Sequence, residues 1–82
     1  MKKAVVTLYT RPGCHLCEEA KAAINEARAE RSFTLEEVNI DLDAALAEQF
    51  RYDIPVTFIN GIKVFKHRVS AREFLRKLDR LT

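Results

Sequence analysis

Val5-Val6-Thr7-Leu8-Tyr9 is β-rich and apolar at consecutive positions, without the apolar–polar alternation of a half-exposed strand. Such a run reads as a central strand covered on both faces. It stops at Arg11-Pro12-Gly13, a turn signal, and the chain then enters helix-forming sequence from about Cys14 to Glu30. Leu16, Ala20, Ala23, Ile24 and Ala27 recur at helical spacing on one face, and Glu18 and Glu19 occupy the first turn, where the helix dipole favours acids. A buried strand feeding a helix through a tight turn points to an α/β layering.

The rest of the chain supplies the other layers. Leu35, Val38 and Ile40 within Phe33–Asp41 indicate a second strand, with Glu36-Glu37 breaking its alternation. A short helix over Ala44–Phe50 follows, with Asp43 as N-cap and Leu46 and Phe50 facing inward. Val56–Ile59 and Ile62–Lys66 flank Asn60-Gly61, a strong hairpin signal. Ser70-Ala71-Arg72-Glu73 forms a capping-box pattern, with the serine capping the backbone and the glutamate reaching back, ahead of a stripe of Phe74, Leu75, Leu78 and Leu81. The order is β-α-β-α-β-β-α: a four-stranded mixed sheet with helices on both faces, in a single domain over residues 1–82. A chain of 82 residues has room for one small core and one compact site.

Composition narrows the function classes. Hydrophobic residues make up 48% and charged residues 32%, the profile of a soluble globular domain. The net charge is only +2 and no basic run interleaves with aromatics, so nucleic acid is not expected as a partner. No apolar run reaches the roughly 18–20 residues of a membrane span. Met1-Lys2-Lys3 before an apolar stretch resembles a leader, but the stretch is short and no small-residue cleavage site follows, so it reads as the first strand of a cytoplasmic protein.

The two cysteines, Cys14 and Cys17, are the only ones in the chain. A bridge closing so short a loop restrains the unfolded chain by about 2 kcal/mol, less than half of what a bridge across the whole chain would give. The pair therefore reads as chemistry, redox or metal. At a helix N-terminus, Cys14 is exposed where free N–H groups and the helix dipole favour a thiolate, while Cys17 lies one turn further in. That is an arrangement for thiol–disulfide exchange, with Cys14 as nucleophile and Cys17 as resolving thiol. The alternative is an iron–sulfur cluster or metal carrier using Cys14, with glutathione or a partner chain completing the ligands. A single-chain zinc site is poorly supplied, since only His15 and His67 could join the two cysteines. No resident metal is expected.

The sequence Tyr9-Thr10-Arg11-Pro12-Gly13-Cys14-His15-Leu16-Cys17, with Ala20-Lys21 and Ile54-Pro55-Val56-Thr57-Phe58-Ile59-Asn60-Gly61, resembles the glutaredoxin family of the thioredoxin fold. The resemblance covers nearly the whole chain. It implies a thiol–disulfide oxidoreductase acting in electron transport and cell redox homeostasis. It also implies that Arg11 contacts the thiolate or a glutathione carboxylate. Ile54-Pro55 looks like the family's cis-proline segment, whose backbone pairs with bound peptide or glutathione. Two departures stand out. His15-Leu16 replaces the common Pro-Tyr between the cysteines. Phe65-Lys66-His67-Arg68 occupies the place of the glycine pair and following acid that hold glutathione. Glycines there let a ligand approach the backbone; Phe and Lys do not. The chain thus resembles a divergent, compact member, with no tightly bound cofactor and weak glutathione dependence expected. The reductant is either glutathione or a thioredoxin-reductase-type flavoenzyme, the substrate a protein or small-molecule disulfide, and the chain a monomer.

Several side chains carry two readings each. His15 is either a cation supporting the thiolate or an idle first-turn residue. Leu16 belongs to an apolar docking surface or simply packs. Lys21 reads better as a solvated lysine than as an aid to ionisation, and Tyr9 better as a strand residue than as a ligand contact. Lys63, Lys66, His67 and Arg68 read better as a guarded edge strand than as a docking patch for an acidic partner. The five phenylalanines are spread as core residues.

Overall fold

The structure, a computed structural model, describes residues 3–82; Met1 and Lys2, where the leader-like reading begins, lie outside the described residues. The elements are β1 (Ala4–Thr10), α1 (His15–Ala27), β2 (Phe33–Asn39), a 3-10 turn (Ile40–Leu42), α2 (Ala44–Phe50), β3 (Val56–Ile59), β4 (Ile62–Lys66) and α3 (Ala71–Leu81). The strands form one sheet in the order β2-β1-β3-β4, with β1 and β2 parallel and the other pairs antiparallel. The parallel pair is joined through α1, as a crossover requires, and the antiparallel pair β3–β4 through the two-residue turn Asn60-Gly61. Both turn residues have positive φ, +51° and +82°, the conformation that makes Asn-Gly a hairpin signal.

One sheet face carries the main core. Ala4, Val6 and Leu8 of β1 and Ile59 of β3 pack under Ala20 and Ile24 of α1 and Phe74 and Leu78 of α3. The bulge on β4 opposite Thr57/Phe58 adds an extra residue to that strand, and Val64 and Phe65 both pack toward this core. On the opposite face, Ile40, Phe50 and Val56 are buried together, with Tyr9 and Phe58 against them; the Tyr9 and Phe50 rings stack at 4.6 Å.

The expectation of cover on both faces of β1 is not met: Ala4, Val6 and Leu8 are buried, but on the other face Val5 is exposed and Thr7 and Tyr9 are half-buried. Val5 is 40% exposed. The reason is length: α2 has seven residues, a rod of about 10 Å, and reaches Tyr9 but not the start of the strand. Other boundaries also moved. The first helix begins after Cys14, which is its N-cap, and its end loosens into i→i−3 bonds at Arg28, Ala29 and Glu30. The second strand stops at Asn39, because the Asn39 side chain accepts the Asp41 amide at 2.9 Å and starts the 3-10 turn. The capping box is reciprocal in a different way from that expected. The Glu73 amide donates to Ser70 Oγ, but the Glu73 carboxylate receives the serine hydroxyl, not the backbone amide.

Candidate functional site

The site lies where β1 runs out. Thr10 ends the strand, Gly13 turns the chain at φ +78°, and Cys14 takes the extended conformation of an N-cap at φ −94°, ψ 111°. A glycine makes that turn at no steric cost. The Cys14 sulfur then accepts a hydrogen bond from the Cys17 backbone amide at 3.2 Å, the role an oxygen plays in an ordinary cap. Both cysteines are free thiols; Cys14 is half-buried and Cys17 is 4% exposed. Burial pushes the Cys17 thiol above its ordinary pKa, and its bond with Cys14 adds to this; the Thr10 hydroxyl and the Arg11 backbone act against it. The outer sulfur is presented at the helix N-terminus and the inner one is held protonated behind it.

Arg11 sits beside this pair but spends its guanidinium on Asp41. Nη2 lies 2.7 Å from Oδ1 and Nε 3.2 Å from the same oxygen, and this bond raises the arginine's pKa further. Sequence reading missed Asp41. The signal was available in the parallel pairing: Thr10 opposes Asn39, so the residues just past the two strand ends share one edge. His15 is exposed, and with Gly13, Cys14 and Glu18 it lines a cleft of about 190 Å³. A second cleft of about 200 Å³ lies beside it, lined by Thr10, Arg11, Pro12, Glu18, Glu37 and Asn39. Leu16 is half-buried and lines a cleft of about 300 Å³ with His67–Ser70 of the β4–α3 turn; Cys14 is not part of its lining.

Ile54-Pro55 is a cis peptide bond and Pro55 is fully buried. Tyr9 pairs with Val56, so Pro55 falls at the Thr10 end of the ladder, on the same edge as the cysteine turn. The Ile54 amide donates to the Phe50 carbonyl at 3.1 Å. The segment before Pro55 is clasped from β4: the His67 amide donates to the Pro55 carbonyl at 2.8 Å, His67 Nε2 donates to the Tyr52 carbonyl at 3.0 Å, and Lys66 faces Asp53 at 3.8 Å. His67 holds φ +68°, a left-handed conformation uncommon outside glycine, and no sequence signal marked it. Lys21 pairs with Glu37 at 3.1 Å, and Arg68, which lies beyond the end of β4, approaches Glu19 at 3.9 Å. Tyr9 belongs to the strand and its aromatic stack. Among the described residues, no three His, Cys, Asp or Glu side chains gather as metal ligands, and no helix is long and apolar enough to cross a membrane.

Residues 5–79 match the family model described as Glutaredoxin-like domain (DUF836). The chain is 34% identical over 84 residues to "Glutaredoxin-like protein YDR286C homolog" of Dictyostelium discoideum, spanning 95% of this chain and 78% of that protein. It is similar to the crystal structure of target protein XcR50 from X. campestris, at 33% identity and a TM-score of 0.78, covering 92% of this chain and 96% of the other. The thioredoxin-2 structure from a malaria parasite, at 18% identity and a TM-score of 0.74 over 98% of this chain and 85% of the other, shares the fold. With its β-α-β-α-β-β-α order and its cysteine pair at the β1–α1 turn, the chain belongs to the glutaredoxin-like family of the thioredoxin fold.

Proposed function

We propose that the protein is a thiol–disulfide oxidoreductase, with Cys14 as nucleophile and Cys17 as resolving thiol. The observation that carries this reading is the Cys14 sulfur capping α1 through the Cys17 amide, with the Cys17 thiol buried behind it. A helix N-terminus favours negative charge on a capping sulfur. Membership of the glutaredoxin-like family supports a redox role in general.

The reaction balances as two exchanges. The Cys14 thiolate attacks one sulfur of a substrate disulfide, the S–S bond breaks, and the first substrate thiolate leaves and takes a proton from water. Cys17, giving up its proton, then attacks Cys14 in the mixed disulfide, and the second substrate thiol leaves. The substrate gains two electrons and the protein is left with a Cys14–Cys17 disulfide, which an external dithiol or flavoenzyme must reduce. Arg11 and the Ile54-Pro55 segment, which lies at the Thr10 end of the sheet, are assigned to substrate positioning, and His15 and Leu16 to the surface between the cysteines. A protein or small molecule serves as substrate, without a resident cofactor, and a reducing cytoplasm is the fitting compartment.

The test mixes pre-reduced protein and its two serine variants, freed of small thiols, with bis(2-hydroxyethyl) disulfide. Cys14→Ser should abolish reduction, whereas Cys17→Ser should accumulate a mixed disulfide visible as an added mass on Cys14. Reduction by Cys14→Ser at the parent's rate would falsify the assignment.

A further inference from the structure

Two cations, Arg11 and Lys21, stand near the Cys14 clefts, and each is already engaged by a carboxylate. The Arg11 guanidinium presents Nη2 and Nε to Asp41 at 2.7 and 3.2 Å. Asp41 is itself fixed, because its amide is held by Asn39 Oδ1 at 2.9 Å. Lys21 is paired with Glu37 at 3.1 Å. Glu18 lines both clefts and has no ion-pair partner among the described residues. Three carboxylates therefore stand against two cations on this side of the cysteine turn, with His15 beside Glu18 in the cleft that holds Cys14. On the far flank Lys66 faces Asp53 and Arg68 faces Glu19, so those cations are partnered as well.

A planar guanidinium fork is the natural seat for a substrate carboxylate, binding it through two parallel N–H donors. Here an internal carboxylate holds that seat, at the end of β1 and three residues before the nucleophile. An incoming anion must either displace Asp41 from the Nε–Nη2 edge or take the Nη1 side next to that carboxylate, and in both cases it approaches Glu18. A neutral or cationic disulfide meets neither obstacle.

We propose that the Cys14 site reduces neutral and cationic disulfides in preference to anionic ones, and that Asp41 sets this preference by filling the Arg11 fork. This rests on the thiol–disulfide reading and adds the charge class of its substrate. Asp41 is a specificity-determining residue in this scheme and takes no part in bond making.

The test uses three small disulfides of graded charge: cystamine (cationic), bis(2-hydroxyethyl) disulfide (neutral) and dithiodipropionate (anionic). Pre-reduced full-length protein is mixed with each at pH 8, and each rate is divided by that of free dithiothreitol on the same disulfide, which removes intrinsic reactivity. The expected order is cationic, neutral, anionic, with a cation-to-anion ratio of about tenfold at low salt that shrinks toward one at about 0.5 M salt. Asp41→Asn should raise the anionic rate roughly three- to fivefold more than the neutral one, the scale of an exposed ion pair. The double variant Arg11→Gln/Asp41→Asn should lose that gain. Asp79→Asn removes an acid of similar exposure, paired with Arg31 and away from the site, and should leave the ratio where it was. Anionic and cationic disulfides reduced equally well by the unaltered protein, or an Asp41→Asn effect shared by all three, would overturn the proposal while leaving the chemistry intact. Reduction of none of the three would overturn the thiol–disulfide reading with it.

Discussion

Cys17 gives its backbone amide to the Cys14 sulfur at 3.2 Å while its own thiol is 4% exposed beneath. One residue thus donates a hydrogen bond to its neighbour's sulfur and resists charge on its own. The resistance has a consequence for stability. Burial, followed by the bond with Cys14, raises the Cys17 pKa in the folded chain above its unfolded value. The folded state then holds that proton more tightly, so its contribution is complete below the ordinary thiol pKa of about 8.5 and is lost as pH rises through the raised value. Fully reduced protein should therefore lose more stability between pH 8 and pH 10 than Cys17→Ala does over the same interval. Urea unfolding of both proteins under a phosphine reductant measures this. Parallel losses would show that Cys17 ionises as freely in the folded chain as in the unfolded one.

A second prediction concerns the far end of the sheet from the cysteines. Asn60 holds φ +51°, its Oδ1 accepts the Val5 amide at 2.9 Å, and its own amide donates to the Val5 carbonyl at 2.8 Å. The hairpin tip is therefore pinned to β1, which fixes the β1–β3 register and so puts Pro55 at the Thr10 edge. Asn60→Ala loses the side-chain bond and places alanine in a left-handed conformation, and should cost about 1–2 kcal/mol. Asn60→Gly keeps the backbone freedom and should cost less. Denaturant titration of both orders the two effects; an alanine variant as stable as the parent would mean that the tip does not anchor the register.

The elements were largely legible because their signals are local. Asn60-Gly61 marks its own turn, Asp43 and Ser70 mark their helix starts, and Cys14 falls where a strand-ending turn meets a helical pattern. What was not legible depends on how far one element reaches over another. Val5 looks as buried as Val6 in sequence, and only the shortness of α2 leaves it open. Asp41 looks like a loop acid until parallel pairing brings the ends of β1 and β2 together, after which it governs Arg11. His67 looks like one member of a basic stretch, yet it takes a glycine-like conformation and reaches back to Tyr52. Pairings across about 15 to 55 positions leave no mark in a local pattern.

That same histidine sharpens the question of the electron donor. In the glutaredoxin pattern the turn after the hairpin is glycine-rich and open to glutathione; here Phe65-Lys66-His67-Arg68 fills it. His67 occupies φ +68°, its amide is spent on the Pro55 carbonyl and its ring Nε2 on the Tyr52 carbonyl, so neither of these donors is left free for a tripeptide. Opening this clasp means breaking two hydrogen bonds, each worth about 0.5–1.5 kcal/mol net. Turnover of bis(2-hydroxyethyl) disulfide should consequently be slow with glutathione and its reductase and faster with a thioredoxin-reductase-type flavoenzyme at matched NADPH. His67→Gly keeps the left-handed turn without strain and removes only the ring. It should raise the glutathione-supported rate several-fold relative to the flavoenzyme-supported one, while its unfolding free energy stays within about 1 kcal/mol of the parent, because relief of strain offsets the lost bond. Comparable rates with the two reducing systems in the unaltered protein would show that the filled turn does not exclude glutathione.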